Sequence, residues 1–310
     1  MKKLIFIFIC ITLLASYIQA QTVNIPDIKF KAALVSNGID LNNDGEIQLT
    51  EAALVKQLDI SNLGITDLTG IESFTSLTSL NCCFNKLKSL DLSKNIALTT
   101  LFCESNKIKN LNISQNSALV SLDCYDNQLT SLDCSQNTAL SILYCACNKI
   151  NNLNISQNTA LTILYCSENN LSALDVSKNI ILTYIECSAN KITSIDVSKN
   201  TVLTMLYFAK NKLTSLDVSQ NRALKYLYCY SNKINSLNLS DNPDLEILLC
   251  NHNNLSGLDI GKNNNLSVLD CSDNKKLQKI CINKKQQDLT TKDSKNWQKD
   301  KKTLWSIDCN

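Results

Sequence analysis

Residues 40–51 read DLNNDGEIQLTE, a stretch dense in oxygen donors. Asp40, Asn42 and Asp44 offer side-chain oxygens at alternate positions, and Gly45 permits a sharp turn between them. Glu46 is placed to ligate through its backbone carbonyl, Gln48 through a water, and Glu51 as a bidentate carboxylate. This pattern suits calcium, a hard cation that takes oxygen ligands. The simpler reading is an Asp/Asn-rich turn that keeps the shape without the ion. The flanks, DIKFKAALVSN and EAALVKQL, read as helices. The loop is single and runs directly into the segment that opens at Leu58, so the expectation is a structural ion that stabilises a cap.

Cysteine is the second reactive residue type, with 15 in the chain. In LYCACNKI, residues 143–150, Cys145 and Cys147 stand two apart, a spacing open to metal, redox or disulfide chemistry. Their positions decide between these. Cysteine falls at 82, 103, 124, 145, 166, 187, 229, 250 and 271, always 21 apart except where Phe208 takes one slot. Asparagine keeps the same period from Asn85 to Asn274, and a second series runs from Asn95 to Asn263.

A fixed period with the core L-x-x-L-x-C-x-x-N-x-L is a leucine-rich repeat signature. Counting the turn that opens at Leu58, there are eleven. One repeat cannot bury its own apolar side, so neighbours stack into a solenoid with a continuous core. With strands ~4.8 Å apart, the stack spans roughly 50 Å. Side chains alternate along a strand, so Leu143 and Cys145 face inward and Tyr144 and Ala146 outward. Both asparagine series read as structural ladders that bond to turn backbone.

Nine cysteines thus share one inward position. Parallel side chains one strand apart do not offer disulfide geometry, and no His or Asp pattern accompanies them. Buried, inert free thiols are expected. Cys83, Cys134 and Cys147 lie off this ladder, with Cys83 and Cys147 on the exposed side. Cys281 and Cys309 stand beyond the last repeat, near Trp297 and Trp305. Their joining would close a loop of about 29 residues, worth ~3–4 kcal/mol on a chain-entropy argument.

The outward positions collect aromatics: Phe102, Tyr125, Tyr144, Tyr165, Tyr184, Tyr207, Tyr226, Tyr228 and Tyr230. Acidic Glu104, Asp123, Asp126, Glu168 and Glu186 fall on the same side. Tyrosine gives a large contact area with little rotamer entropy to lose, so the row suits a protein ligand, with a surface glycan as the alternative. The bland reading is cross-strand stacking that only stabilises the sheet.

Nothing in the chain suggests an enzyme. His252, the one histidine, falls on an outward strand position with no nucleophile beside it, and no phosphate loop or zinc motif is present. Neither nucleic acid nor a membrane span is indicated, and a monomer is expected. The start, MKK followed by LIFIFICITLLASYI, reads as a signal peptide removed near Ala20. Ile9 precedes Cys10 where a lipoprotein signal wants a small residue, so no lipid anchor is expected. From Lys275 onward ten Lys oppose four Asp, and this basic end reads as a solvated terminus.

The repeat LTxLxCxxNKLTxLDVSxN, over residues 58–274, closely resembles that of the internalin-like cysteine-ladder leucine-rich repeat proteins of bacterial surfaces. The resemblance implies a curved right-handed solenoid and a role in adhesion or ligand recognition. The expected organisation is a signal peptide (1–20), a small helical EF-hand-like cap with the calcium loop (21–57), the repeats (58–274) and a basic C-terminal cap (275–310). In class terms this is an α/β leucine-rich repeat solenoid with a parallel concave β-sheet, extracellular or on the cell surface.

Overall fold

Once in every repeat the chain lays down a three-residue strand, turns away, and returns one rung along. The structure, a computed structural model, describes residues 21–292 and 295–307. The expected signal peptide and Cys309 lie outside the described residues. One sheet of 12 parallel strands forms the concave side. Eleven come from the repeats, from Gln57–Asp59 to Val268–Asp270. Register never slips: Leu101 lies opposite Leu122, Leu122 opposite Leu143, and Leu143 opposite Leu164. The returning side carries only short two- and three-stranded ladders, such as Leu90–Asp91 with Leu111–Asn112.

The inward leucines and the nine ladder cysteines are buried, and Phe208 fills its slot with no exposure. The cysteines are free, as expected. Cys166 Sγ donates a hydrogen bond to Cys187 Sγ at 3.3 Å, which is thiol contact rather than a bridge. Desolvation pushes the Cys103 and Cys145 thiols well up, and that of Cys229 to about 12.

The ladder asparagines explain how the turn leaves the strand. Asn148 Nδ2 donates to the carbonyls of Cys145 and Ala146 in its own repeat and of Cys124 in the one before. Its Oδ1 accepts from Leu129 N at 2.9 Å. One amide therefore holds two rungs. The residue before each asparagine, from Phe84 to Asp273, takes a left-handed conformation with φ between 50° and 55°. That conformation costs an L-residue roughly 1–2 kcal/mol, and the asparagine bonds offset it. No glycine marks these positions, so the sequence gives no sign of it.

The two ends are built differently from the repeats, and one N-terminal helix is shorter than expected. Asp27 caps the helix Ile28–Ser36, accepting from Lys29 N and Phe30 N, and its other oxygen accepts from Thr66 N and Oγ1 at 2.8 Å. The cap is thereby tied to the first repeat. The helix expected over EAALVKQL is only Leu49–Ala52, because Gln57–Asp59 must extend to pair with Ser79–Asn81. Pairing overrides helix propensity there. The basic C-terminal segment, expected as a cap, holds a helix, Lys284–Lys292, and further strands. Trp297 pairs with Leu269, takes the inward leucine column, and donates through Nε1 to Ser267 O at 3.0 Å. It closes an apolar end that a solenoid cannot leave open.

Three residues sit otherwise than their spacing predicts. Cys83 is buried, not exposed, at 7%. Burial first, then nearby Glu104 and Asp123, pushes its thiol to about 11. Ala146 sits on the outward side yet is fully buried, since a single methyl in a column that also holds Tyr125 barely rises above the backbone. His252 is not on a strand; it occupies the left-handed turn, and its Nε2 lies 3.2 Å from Asp273 Oδ2.

Candidate functional site

Because the repeat is in register, each outward strand position becomes a column. The third strand position places Phe102, Asp123, Tyr144 and Tyr165 in sequence down the sheet, then Glu186, Tyr207 and Tyr228. Tyr184 and Tyr226 stand at the first position of their strands. Tyr184 bridges the rung where Glu186 interrupts the column. The outcome is an unbroken chain of rings. Tyr144 and Tyr165 meet edge to face at 6.1 Å, and Tyr165 and Tyr184 lie parallel at 6.4 Å. Tyr184 and Tyr207 meet edge to face at 5.5 Å, and Tyr207 and Tyr228 stack at 4.2 Å.

Phe102, Tyr125, Tyr226 and Tyr230 share the face but stand outside this chain. Tyr226 Oη donates to Glu246 Oε2 at 3.0 Å, and Glu246 also pairs with Lys225. Tyr125 follows its strand and interacts through its hydroxyl with Cys147, which is half-buried. All nine aromatics are partly exposed. Ile163 and Met205 line a hollow of about 380 Å³ with Tyr144, Tyr165 and Tyr184. Attention to aromatics alone passes over these two, although the first strand position identifies them.

The acids on this face are not equivalent. Glu186 is nearly buried, and desolvation raises its pKa above the usual carboxylate range. Asp123 is raised for the same reason. Glu104 is raised by desolvation and by repulsion from Asp123 and Asp126.

At the other end of the molecule, the 40–51 loop is knitted from within. Asp40 accepts from Asp44 N at 3.2 Å and Gly45 N at 2.9 Å. Glu51 accepts from Leu41 N and Gln48 N, at 2.8 and 2.9 Å, so one carboxylate joins both ends of the loop. The amides of Asn42 and Gln48 both donate to Asp44 Oδ2 at 2.9 Å. Asn42 Oδ1 accepts from Asp44 N at 3.0 Å, so the loop gathers carboxylate and amide oxygens of the kind a hard cation takes. Glu46 instead pairs outward with Lys31, which leaves its carbonyl as its contribution. Cys281 is disulfide-bonded, while its expected partner Cys309 lies outside the described residues.

These features define a leucine-rich repeat solenoid that presents one broad strand face. No family profile matches the chain. The functional domain of InlJ from Listeria monocytogenes, which includes a cysteine ladder, is similar over 84% of this chain and 67% of that one, with 35% identity and a TM-score of 0.72. Internalin J of L. monocytogenes serotype 4b is 38% identical over 79 residues, 25% of this chain and 8% of that protein's length. An internalin of the same species, InlF, matches at 19% identity and TM-score 0.68, over 94% of this chain and 98% of that one, which speaks for the fold alone. The chain belongs to the internalin-type cysteine-ladder leucine-rich repeat family. Among the described residues no helix is long and apolar enough to cross a membrane.

Proposed function

We propose that this is a secreted or cell-surface recognition module that binds a protein partner through its concave tyrosine face, as a monomer and without catalysis. The observation that carries the reading is the unbroken ring chain from Tyr144 to Tyr228. Monomers rarely leave so continuous an aromatic patch on a surface, and rigid tyrosines are well suited to contact. A surface glycan is the second reading, favoured by the hollow in which Thr183 and Thr204 hydroxyls sit beside tyrosine rings. Replacing Tyr144, Tyr165 and Tyr207 by Ala tests the site. Partner capture from a surface-protein extract should vanish while the melting curve stays cooperative. Collapse of the fold would instead assign the rings to sheet stacking. We further propose a structural calcium at Asp40, Asn42, Asp44, the Glu46 carbonyl, Gln48 and Glu51. When bound, it would neutralise acids that the loop now balances with amides.

A further inference from the structure

Charge on the concave face is one-sided. Asp59, Glu104, Asp123, Asp126, Glu168 and Glu186 all lie on strands or on the turns that leave them, against Lys210 among the same columns. Among the described residues none of Glu104, Asp123, Asp126, Glu168 or Glu186 forms an ion pair. The lysines after the ladder asparagines, such as Lys107 and Lys149, lie beyond the left-handed turn. Two of the acids, Glu104 and Asp123, line one hollow of about 290 Å³ with Tyr125, Tyr144 and Tyr165.

We propose that this hollow receives an arginine or lysine side chain from a basic polypeptide segment, the tyrosine rings flanking the cation and Glu104 and Asp123 neutralising it. The inference rests on the concave face being the binding face and names what it binds. Three arguments select this occupant. A cation over tyrosine faces is attracted by the ring quadrupole, and carboxylates beside the rings add to that attraction. A metal ion does not suit this hollow, because Glu104 and Asp123 are its only carboxylates and the rest of its lining is tyrosine. A neutral sugar could hydrogen-bond the carboxylates but brings no charge to neutralise them, and a nucleic acid would meet like charge. An incoming positive group would relieve the mutual repulsion among Glu104, Asp123 and Asp126.

The test uses N-acetyl-arginine amide, its neutral near-isostere N-acetyl-citrulline amide, and a neutral oligosaccharide, each titrated into the full chain labelled on tyrosine rings for NMR. The arginine compound should shift the rings of Tyr125, Tyr144 and Tyr165, and the citrulline compound should bind at least tenfold more weakly. In the double variant Glu104→Gln/Asp123→Asn the arginine affinity should fall to the citrulline level with the melting curve still cooperative. Equal binding of arginine and citrulline, or an unchanged arginine affinity in the variant, would overturn the preference for a cation. Ring shifts with the oligosaccharide that persist in the variant would overturn it too, yet leave the concave face as a binding face. Silence of these rings toward all three probes would overturn both.

Discussion

Cys134 Sγ donates a hydrogen bond to Asn158 Oδ1 at 3.1 Å, and this contact singles out one rung of the second asparagine ladder. Every asparagine in that ladder donates to two carbonyls of the preceding repeat, as Asn137 does to Ile113 O and Asn116 O. Eight of the nine leave Oδ1 buried without a partner. The equivalent of Cys134 elsewhere is aliphatic, such as Ile113 or Val176, and cannot donate. Buried unpaired oxygen is costly, so the thiol at this rung relieves a strain the others carry.

Cys134→Val should therefore destabilise the fold by about 1 kcal/mol, while Cys134→Ser, still a donor, should not. The reciprocal variant Val176→Cys places a donor beneath Asn200 Oδ1, which is unpaired. It should raise the urea midpoint. A lower midpoint for Val176→Cys would refute the assignment.

Thiol accessibility gives a second expectation. Twelve free cysteines are described, and only Cys147 among them is not buried. An aromatic disulfide reagent should modify Cys147 promptly in the native protein and the others only as it unfolds, because burial keeps them as thiols. Peptide mapping that finds Cys145 or Cys166 modified under native conditions would contradict the packing.

Acidity should act on the concave face with a definite sign. The carboxyls of Glu104, Asp123 and Glu186 have folded pKa values raised above their unfolded ones. Their charged forms weaken the fold at neutral pH, and this burden lifts as pH falls through the raised values. Asp59 and Asp91 are shifted down, chiefly by the N–H groups of Ser61 and Ser93. Their contribution is present above the unfolded carboxylate pKa and is lost as pH falls through the depressed values. Glu104→Gln/Asp123→Asn should therefore melt higher than the parent at neutral pH, with the gap closing in mild acid. A gap that widens in acid would reverse the assignment.

Calcium should be visible as stability. Excess chelator should lower the melting temperature, by an amount equivalent to about 2–3 kcal/mol if calcium had been at a hundredfold its dissociation constant. Glu51→Gln should start lower and lose the response. A parent curve indifferent to chelator would remove the ion from the cap.

The C-terminal disulfide offers a fifth measurement. Cys281→Ser should cost about 3 kcal/mol and loosen the segment around Trp297, seen as faster amide exchange there. A disulfide-linked peptide pair in the non-reduced digest should join Cys281 to Cys309; linkage to any other cysteine would redraw the end of the chain.

How legible the protein was depended on the kind of contact. Leu143, Cys145 and Asn148 could be placed from the period alone, because an unbroken repeat dictates that every copy does the same thing. The terminal rung could not. Gln286 Nε2 donates to Ile260 O and Asn263 O at 2.9 Å, replacing the next ladder asparagine from a helix outside the repeat. Its side chain is one methylene longer and lies off the period, so no spacing reveals it. The tyrosines were visible as a set, but not which would touch. Tyr184 and Tyr207 occupy different strand positions and meet only because Tyr184 leans across Glu186.

By itself the sequence determined the solenoid, its buried thiol column and its aromatic side. Those come from alternation along a strand and from the need of each repeat to bury its apolar edge in a neighbour. Tertiary structure alone decided the left-handed turns, the sealing role of Trp297, the Cys134–Asn158 bond and the hollow shared by Glu104 and Tyr144. Each joins atoms on different rungs or from outside the repeat, and their meeting is set by how one rung is offset from the next rather than by distance along the chain.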